Sequence, residues 1–62
     1  MVFNVWELRT ARRLTLRQLQ ELSGVSKSQI NAIENGKANP TMQTLKLLAD
    51  ALGVDLKALY TV

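Results

Sequence analysis

Each of the three glycines in this chain, Gly24, Gly36 and Gly53, closes a segment whose apolar residues recur at helical spacing. No run of strand-like alternation persists between them, so the pattern dictates helices joined by tight turns. The first helix is expected to start at Asn4 as N-cap and run to about Arg12, with Val5, Leu8 and Ala11 facing inward and Leu14 anchoring the link that follows. The second opens after Thr15, carries Leu16, Leu19 and Leu22, and ends at Gly24, a residue free to take the left-handed conformation past a helix. The third begins with "SKSQ", where Ser26 caps the Gln29 amide and the Gln29 side chain reaches back in a reciprocal capping box, and it ends at "NG". After the polar loop "KANP", the fourth helix runs from Thr41 to Gly53 and buries Leu45, Leu48, Ala49 and Leu52. Asp55 then caps a short fifth helix, "LKALY".

With 62 residues the chain is read as one domain over 1–62, small enough that nearly every apolar residue must serve a single core. It contains neither Cys nor His, which removes disulfides, thiolate or imidazole metal sites, and the commonest nucleophiles and general bases. Five carboxylates in no evident pair and no Gly-rich phosphate loop complete a composition unsuited to an enzyme; no cofactor and no metal are expected. Asn4, Glu7 and Arg9 interrupt any signal-peptide core, and no apolar run approaches the ~20 residues of a membrane span, so the expected location is cytoplasmic with no membrane contact.

The net charge of +3 lies wholly in the first forty residues. There Arg9, Arg12, Arg13, Arg17, Lys27 and Lys37 face only Glu7, Glu21 and Glu34, whereas Lys46 and Lys57 are offset by Asp50 and Asp55. A basic half of this kind suits a polyanionic partner. The third helix points the same way. Ile30 and Ile33 define its inner side, and at about 100° per residue Ser28, Asn31, Ala32 and Asn35 lie on the other, with Lys27 at the flank. An ordinary surface helix would carry Glu and Lys there. Short amides, a hydroxyl and a methyl instead suit a groove about 12 Å wide: Asn pairs with adenine N6 and N7, Ser serves several bases, and an Ala methyl touches thymine. Lys27, Ser28, Asn31 and Ala32 are therefore the candidate base-reading residues, and the segment of about residues 15–35 is a helix-turn-helix. Asn35, beside Gly36, is assigned to the helix end, and Gln29 to capping.

The ordered pattern "LR…LT…QL…SGVSKSQINAIENGKANPT…TL…LADALGV" resembles the lambda-repressor/Cro-type (XRE) helix-turn-helix family over roughly residues 5 to 60. The resemblance implies an all-α, compact five-helix domain that binds double-stranded DNA as a transcriptional regulator, with repression the expected effect. It also implies an ion pair between Arg9 and Glu34 tying the first helix to the third. The residues agree on one side of this: Glu34 lies about 40° from Ile30, an inner position where a lone carboxylate is costly.

Three positions depart from the family pattern. Leu16 stands where a phosphate-contacting Gln is usual, which shifts that contact to Arg17. Gln20 replaces the small residue expected where the second and third helices cross. Arg13 replaces the Gly that commonly ends the first helix, at a steric cost if it is left-handed, though it could gain by facing a phosphate.

Unsatisfied helix N-termini and loop cations are the places to seek backbone contacts, giving Arg17, Lys37, Asn39 and Thr41 as candidate phosphate ligands. One recognition helix reads too few base pairs to choose a site in a genome, so a homodimer is expected. Its expected surface is Leu47, which points away from the core side of the fourth helix, with Leu56, Leu59 and Tyr60. Trp6 is placed at the core rim. A competing class is a protein-interaction module, such as an antitoxin or an adaptor on the same fold, for which Leu47 would serve a protein partner.

Overall fold

The computed structural model describes residues 2–61. Among them are four α-helices: α1 (Val5–Ala11), α2 (Leu16–Ser23), α3 (Lys27–Glu34) and α4 (Met42–Leu52). The expected fifth helix is a single 3-10 turn, Leu56–Leu59. Its N-cap is Asp55, as the sequence suggested, but the Asp55 side chain makes no capping bond, and the backbone bond from the Ala58 amide to the Asp55 carbonyl, 2.9 Å, closes the turn instead.

Two short strands not foreseen from the sequence join the chain's ends: β1 (Val2–Phe3) runs antiparallel to β2 (Tyr60–Thr61), with Phe3 opposite Tyr60. Just beyond β1, the Asn4 amide donates to the Leu59 carbonyl at 2.7 Å, and the Asn4 side chain donates to Ala58 at 3.2 Å. Asn4 does begin α1, yet its side chain ties the two ends together rather than capping the helix.

The core gathers one side of every helix. Val5, Leu19, Ile30, Ile33, Leu48 and Leu59 are fully enclosed, with Val25, Leu45, Ala49 and Leu52 around them. Leu59 is thus a core residue and leaves the expected dimer surface: the 3-10 turn, pinned by Asn4, tucks it against α4.

Three other positions differ from expectation. Leu22 is 60% exposed, since it lies about 120° around the helix from Leu16, on the far side of Leu19, and α2 packs through Leu19 and Ser23 instead. Ala11 is exposed, at the last turn of a seven-residue helix. Trp6 is exposed on α1, beyond the rim where it was placed.

Local signals set the helix starts. Thr15, Ser26 and Thr41 each accept the amide three residues on, from Gln18, Gln29 and Thr44. The reciprocal box, however, closes at α2, where the Gln18 side chain accepts from the Thr15 amide at 2.8 Å, and not at Ser26.

Candidate nucleic-acid interface

α2 and α3 are joined by a turn that is latched from several sides. Gly24 is left-handed at φ 80° and donates its amide to the Gln20 carbonyl at 2.8 Å. Ser23, buried, donates its hydroxyl to the Leu19 carbonyl at 2.7 Å and accepts from the Val25 amide at 3.1 Å, so the Val25 amide of the turn is satisfied within the protein. Gln20 closes the other side: its Oε1 accepts the amide of Lys27, the first residue of α3, at 2.7 Å. Gln20, noted in the sequence only as larger than the expected residue, thus caps the neighbouring helix. Ser23 and Gln20 carry a faint sequence signal at best, a hydroxyl before the turn glycine and an amide seven residues ahead of a helix start.

α3 is anchored along its inner side by the buried Ile30 and Ile33 and by an ion pair. Arg9 Nε donates to Glu34 Oε2 at 2.7 Å and Nη2 donates to Oε1 at 3.0 Å, a bidentate fork, while Nη1 donates to the Leu14 carbonyl at 2.8 Å. One guanidinium therefore ties α1 to both α3 and the link before α2. The side chains are only 12% and 5% exposed. The hydrogen bonds to Glu34 hold the Arg9 pKa above its ordinary value, burial opposes them, and the Glu34 charge adds to the rise. At its far end, α3 closes in a Schellman motif: the Lys37 amide donates to Ala32 and the Gly36 amide to Ile33, with Gly36 left-handed at φ 70°.

With the helix fixed from behind and at both ends, its other side is open. Lys27, Ser28 and Asn31 are exposed, Ala32 is half-buried, and Asn35 is exposed beside them. Asn35 is the C-cap of α3, as the sequence suggested, and its side chain turns back and donates to Asn31 Oδ1 at 3.2 Å. The sequence-derived phosphate ligands occupy exposed positions around this helix. Arg17 stands in the first turn of α2 and approaches Glu21, also exposed, at 3.9 Å. Lys37 and Asn39 lie in the loop after α3. Thr41 caps α4, its hydroxyl engaged with the Thr44 amide and hydroxyl.

Of the expected dimer surface, Leu47 is 40% exposed, and Leu56 and Tyr60 are half-buried. Tyr60 shares an open groove of about 280 Å³ with Phe3, Pro40, Met42, Leu45 and Asn39, so Asn39 and Tyr60, given different roles in the sequence, line one depression. Among the described residues no group of three acidic side chains is placed to hold a metal ion, and no helix is long and apolar enough to cross a membrane.

This arrangement, two short helices locked across a tight turn with the second exposed along a polar side, is a helix-turn-helix. The chain matches the helix-turn-helix family over residues 7–59 and belongs to it. It is 40% identical over 58 residues to the uncharacterized HTH-type transcriptional regulator y4dJ of Sinorhizobium fredii, an alignment covering 94% of this chain and 75% of that protein. It is 47% identical over 53 residues to the HTH-type transcriptional repressor RghR of Bacillus subtilis, covering 84% of this chain but only 39% of RghR. Among solved structures it resembles the restriction-modification controller protein C.AhdI from Aeromonas hydrophila, with a TM-score of 0.88 and 33% identity over 92% of this chain and 86% of that one.

Proposed function

We propose that this protein is a sequence-specific, double-stranded DNA-binding transcriptional regulator acting as a repressor, with no enzymatic activity of its own. The observation that carries this reading is the outer side of α3. A helix locked by Ile30, Ile33, the Arg9–Glu34 pair, Gln20 and Gly36 exposes Lys27, Ser28 and Asn31, with Ala32 at the edge, and the short side chains of Ser28, Asn31 and Ala32 leave room for a major groove to close on the backbone. Arg17, Lys37, Asn39 and the start of α4 at Thr41 supply contacts to phosphates on either side. The repressor and controller relatives support the regulatory reading by analogy.

The protein works as a two-fold dimer on half-sites about one helical turn, roughly 34 Å, apart, because a single α3 reads too little sequence. Leu47, with Leu56 and Tyr60, is the surface that joins the protomers, lying in the charge-balanced part of the chain. Such a protein resides in the cytoplasm, on the nucleoid.

Selection of bound sites from a random duplex library, followed by titration over a range of salt, tests the reading. The expected result is a two-fold symmetric site and an affinity that falls steeply with salt. Absence of any salt-sensitive complex would favour the second reading, a protein-interaction module such as an antitoxin or adaptor, for which the partly exposed Leu47 is the supporting observation.

A further inference from the structure

We infer that Asn35 is a positioning residue that sets the base preference of Asn31, an inference that rests on α3 being the DNA-reading helix. The two amides stand one turn apart, and Asn35 Nδ2 donates to Asn31 Oδ1 at 3.2 Å. A primary amide is nearly symmetric in shape but opposite in hydrogen-bonding character at its two ends, so a free asparagine presents either end to a base with little cost. Here the bond couples the two amides, because the Asn31 amide can reverse only if the Asn35 amide reverses with it. The Asn31 oxygen faces Asn35 and the C-terminal end of α3, and its NH2 is left to face the other way.

The order of donor and acceptor along the groove is what distinguishes one base pair from another. An amide whose order is preset therefore matches one arrangement of base edges and mismatches the reverse. The backbone beneath is equally fixed, since the Asn35 amide donates to the Asn31 carbonyl at 3.0 Å and the Schellman motif closes the next turn. Asn35 lies toward the middle of the outer side, about 20° from Ser28 in projection, where base pairs would shield its bond from water.

The test uses the whole chain and the site selected for the parent protein. Asn31→Ala first identifies the base pair that Asn31 reads. Asn35→Ala should then lose about twofold to tenfold of discrimination at that same pair, leaving the other positions unchanged. Asn35→Asp should do more: a carboxylate can only accept, so it draws the Asn31 NH2 toward itself, turns the oxygen outward and moves the preference to a base pair presenting the reversed order. The added negative charge lowers affinity for all sequences alike and so does not enter this relative measurement.

A preference profile for both Asn35 variants identical to the parent's would overturn the proposal. So would a change confined to a base pair other than the one Asn31 reads, because Asn35 would then contact a base directly. A parent protein that selects no site defeats the DNA-reading proposal itself, and the two failures are thereby told apart. Asn35 is exposed, so Asn35→Ala should melt with the parent by circular dichroism and Asn35→Asp only slightly lower, its charge opposing the helix dipole at the end of α3.

Discussion

Removing the Glu34 carboxylate should reveal how much of this small domain depends on one guanidinium. In Glu34→Ala, Arg9, only 12% exposed in the parent, loses the bonds at 2.7 and 3.0 Å and keeps the one to Leu14 in a site built for a charge pair. Breaking a buried pair by deleting one partner costs about 3–5 kcal/mol, and the residual exposure of Arg9 places the loss near the lower figure, about 3 kcal/mol. A chain of 62 residues has a total stability of only roughly 3–9 kcal/mol. The variant should therefore melt lower by at least about 12 °C, at about 4–8 °C per kcal/mol.

The double variant Arg9→Met with Glu34→Leu should recover most of this, since apolar residues of similar volume remove the desolvation cost together with the pair. It should fall short by about 1 kcal/mol for the Leu14 carbonyl that Arg9 no longer satisfies. Thermal melts followed by circular dichroism at 222 nm, with urea titrations as a second measure, read both. A Glu34→Ala protein melting within about 2 °C of the parent would refute the reasoning. Because the folded pKa of Arg9 is raised, its contribution is complete below the unfolded value and lost only as the pH climbs through the folded one, so Arg9 adds no slope to stability between about pH 5 and 9.

Arg13 holds a left-handed backbone, φ 57°, at the Schellman position that ends α1, with its own amide bonded to Thr10 and that of Leu14 to Arg9. Arg13→Gly should raise the melting temperature by a few degrees, the relief of about 1–2 kcal/mol of steric cost being reduced by the greater freedom of Gly in the unfolded chain; an unchanged or lower melting point would contradict it. Lys37→Ala should weaken binding to all DNA sequences alike and lower the salt slope by about one unit, and a sequence-selective loss would remove it from the phosphate contacts. Ser28→Ala or Asn31→Ala should instead cost about 1–3 kcal/mol of discrimination at one or two base pairs, and unchanged preference in both would exclude them as readers. Leu47→Glu should keep its helix content and occupy single half-sites but lose cooperative binding to a paired operator; retained cooperativity would place the dimer contact elsewhere.

What the sequence revealed followed the range of the forces involved. Thr15, Ser26 and Thr41 cap amides three residues away, and Gly24 and Gly36 turn the chain at the residue where they stand, so helix starts and ends were legible from neighbours alone. Ile30, Ile33 and the α4 stripe read correctly because each falls within one narrow arc. Leu22 did not, since its spacing from Leu16 separates the two by about a third of the helix circumference and only the crossing with α3 and α4 shows which arc is covered. Leu59 was misplaced for a similar reason. Its burial depends on Asn4 and on β1 meeting β2, contacts between the two ends of the chain that no local pattern announces. At the candidate interface, the residue types on α3 were legible, but the bonds that organise them, Gln20 to Lys27 and Asn35 to Asn31, were not, because an amide gives no sign in sequence of which partner it will choose.

The composition of α3 makes sense only together with its anchors. Lys-Ser-Gln-Ile-Asn-Ala-Ile-Glu is eight residues with a Ser and an Asn in its interior, too short and too poor in helix formers to persist alone in water. Its helicity is supplied from outside, by two isoleucines in the core, the Arg9 fork on Glu34, Gln20 at its first amide and Gly36 at its last turn. None of these contacts uses the exposed side chains of Lys27, Ser28 or Asn31. On the proposed reading, stability and base contact therefore fall to different residues of the same helix, and each can change without the other. A chain built in this way can have its outer residues exchanged for others of similar size with stability held to about ±0.5 kcal/mol, so the scaffold sets no narrow limit on which sequence the helix reads. On the role inferred for Asn35, the exception is the Asn31–Asn35 pair, where one outer residue would orient another and a single exchange would change two positions at once.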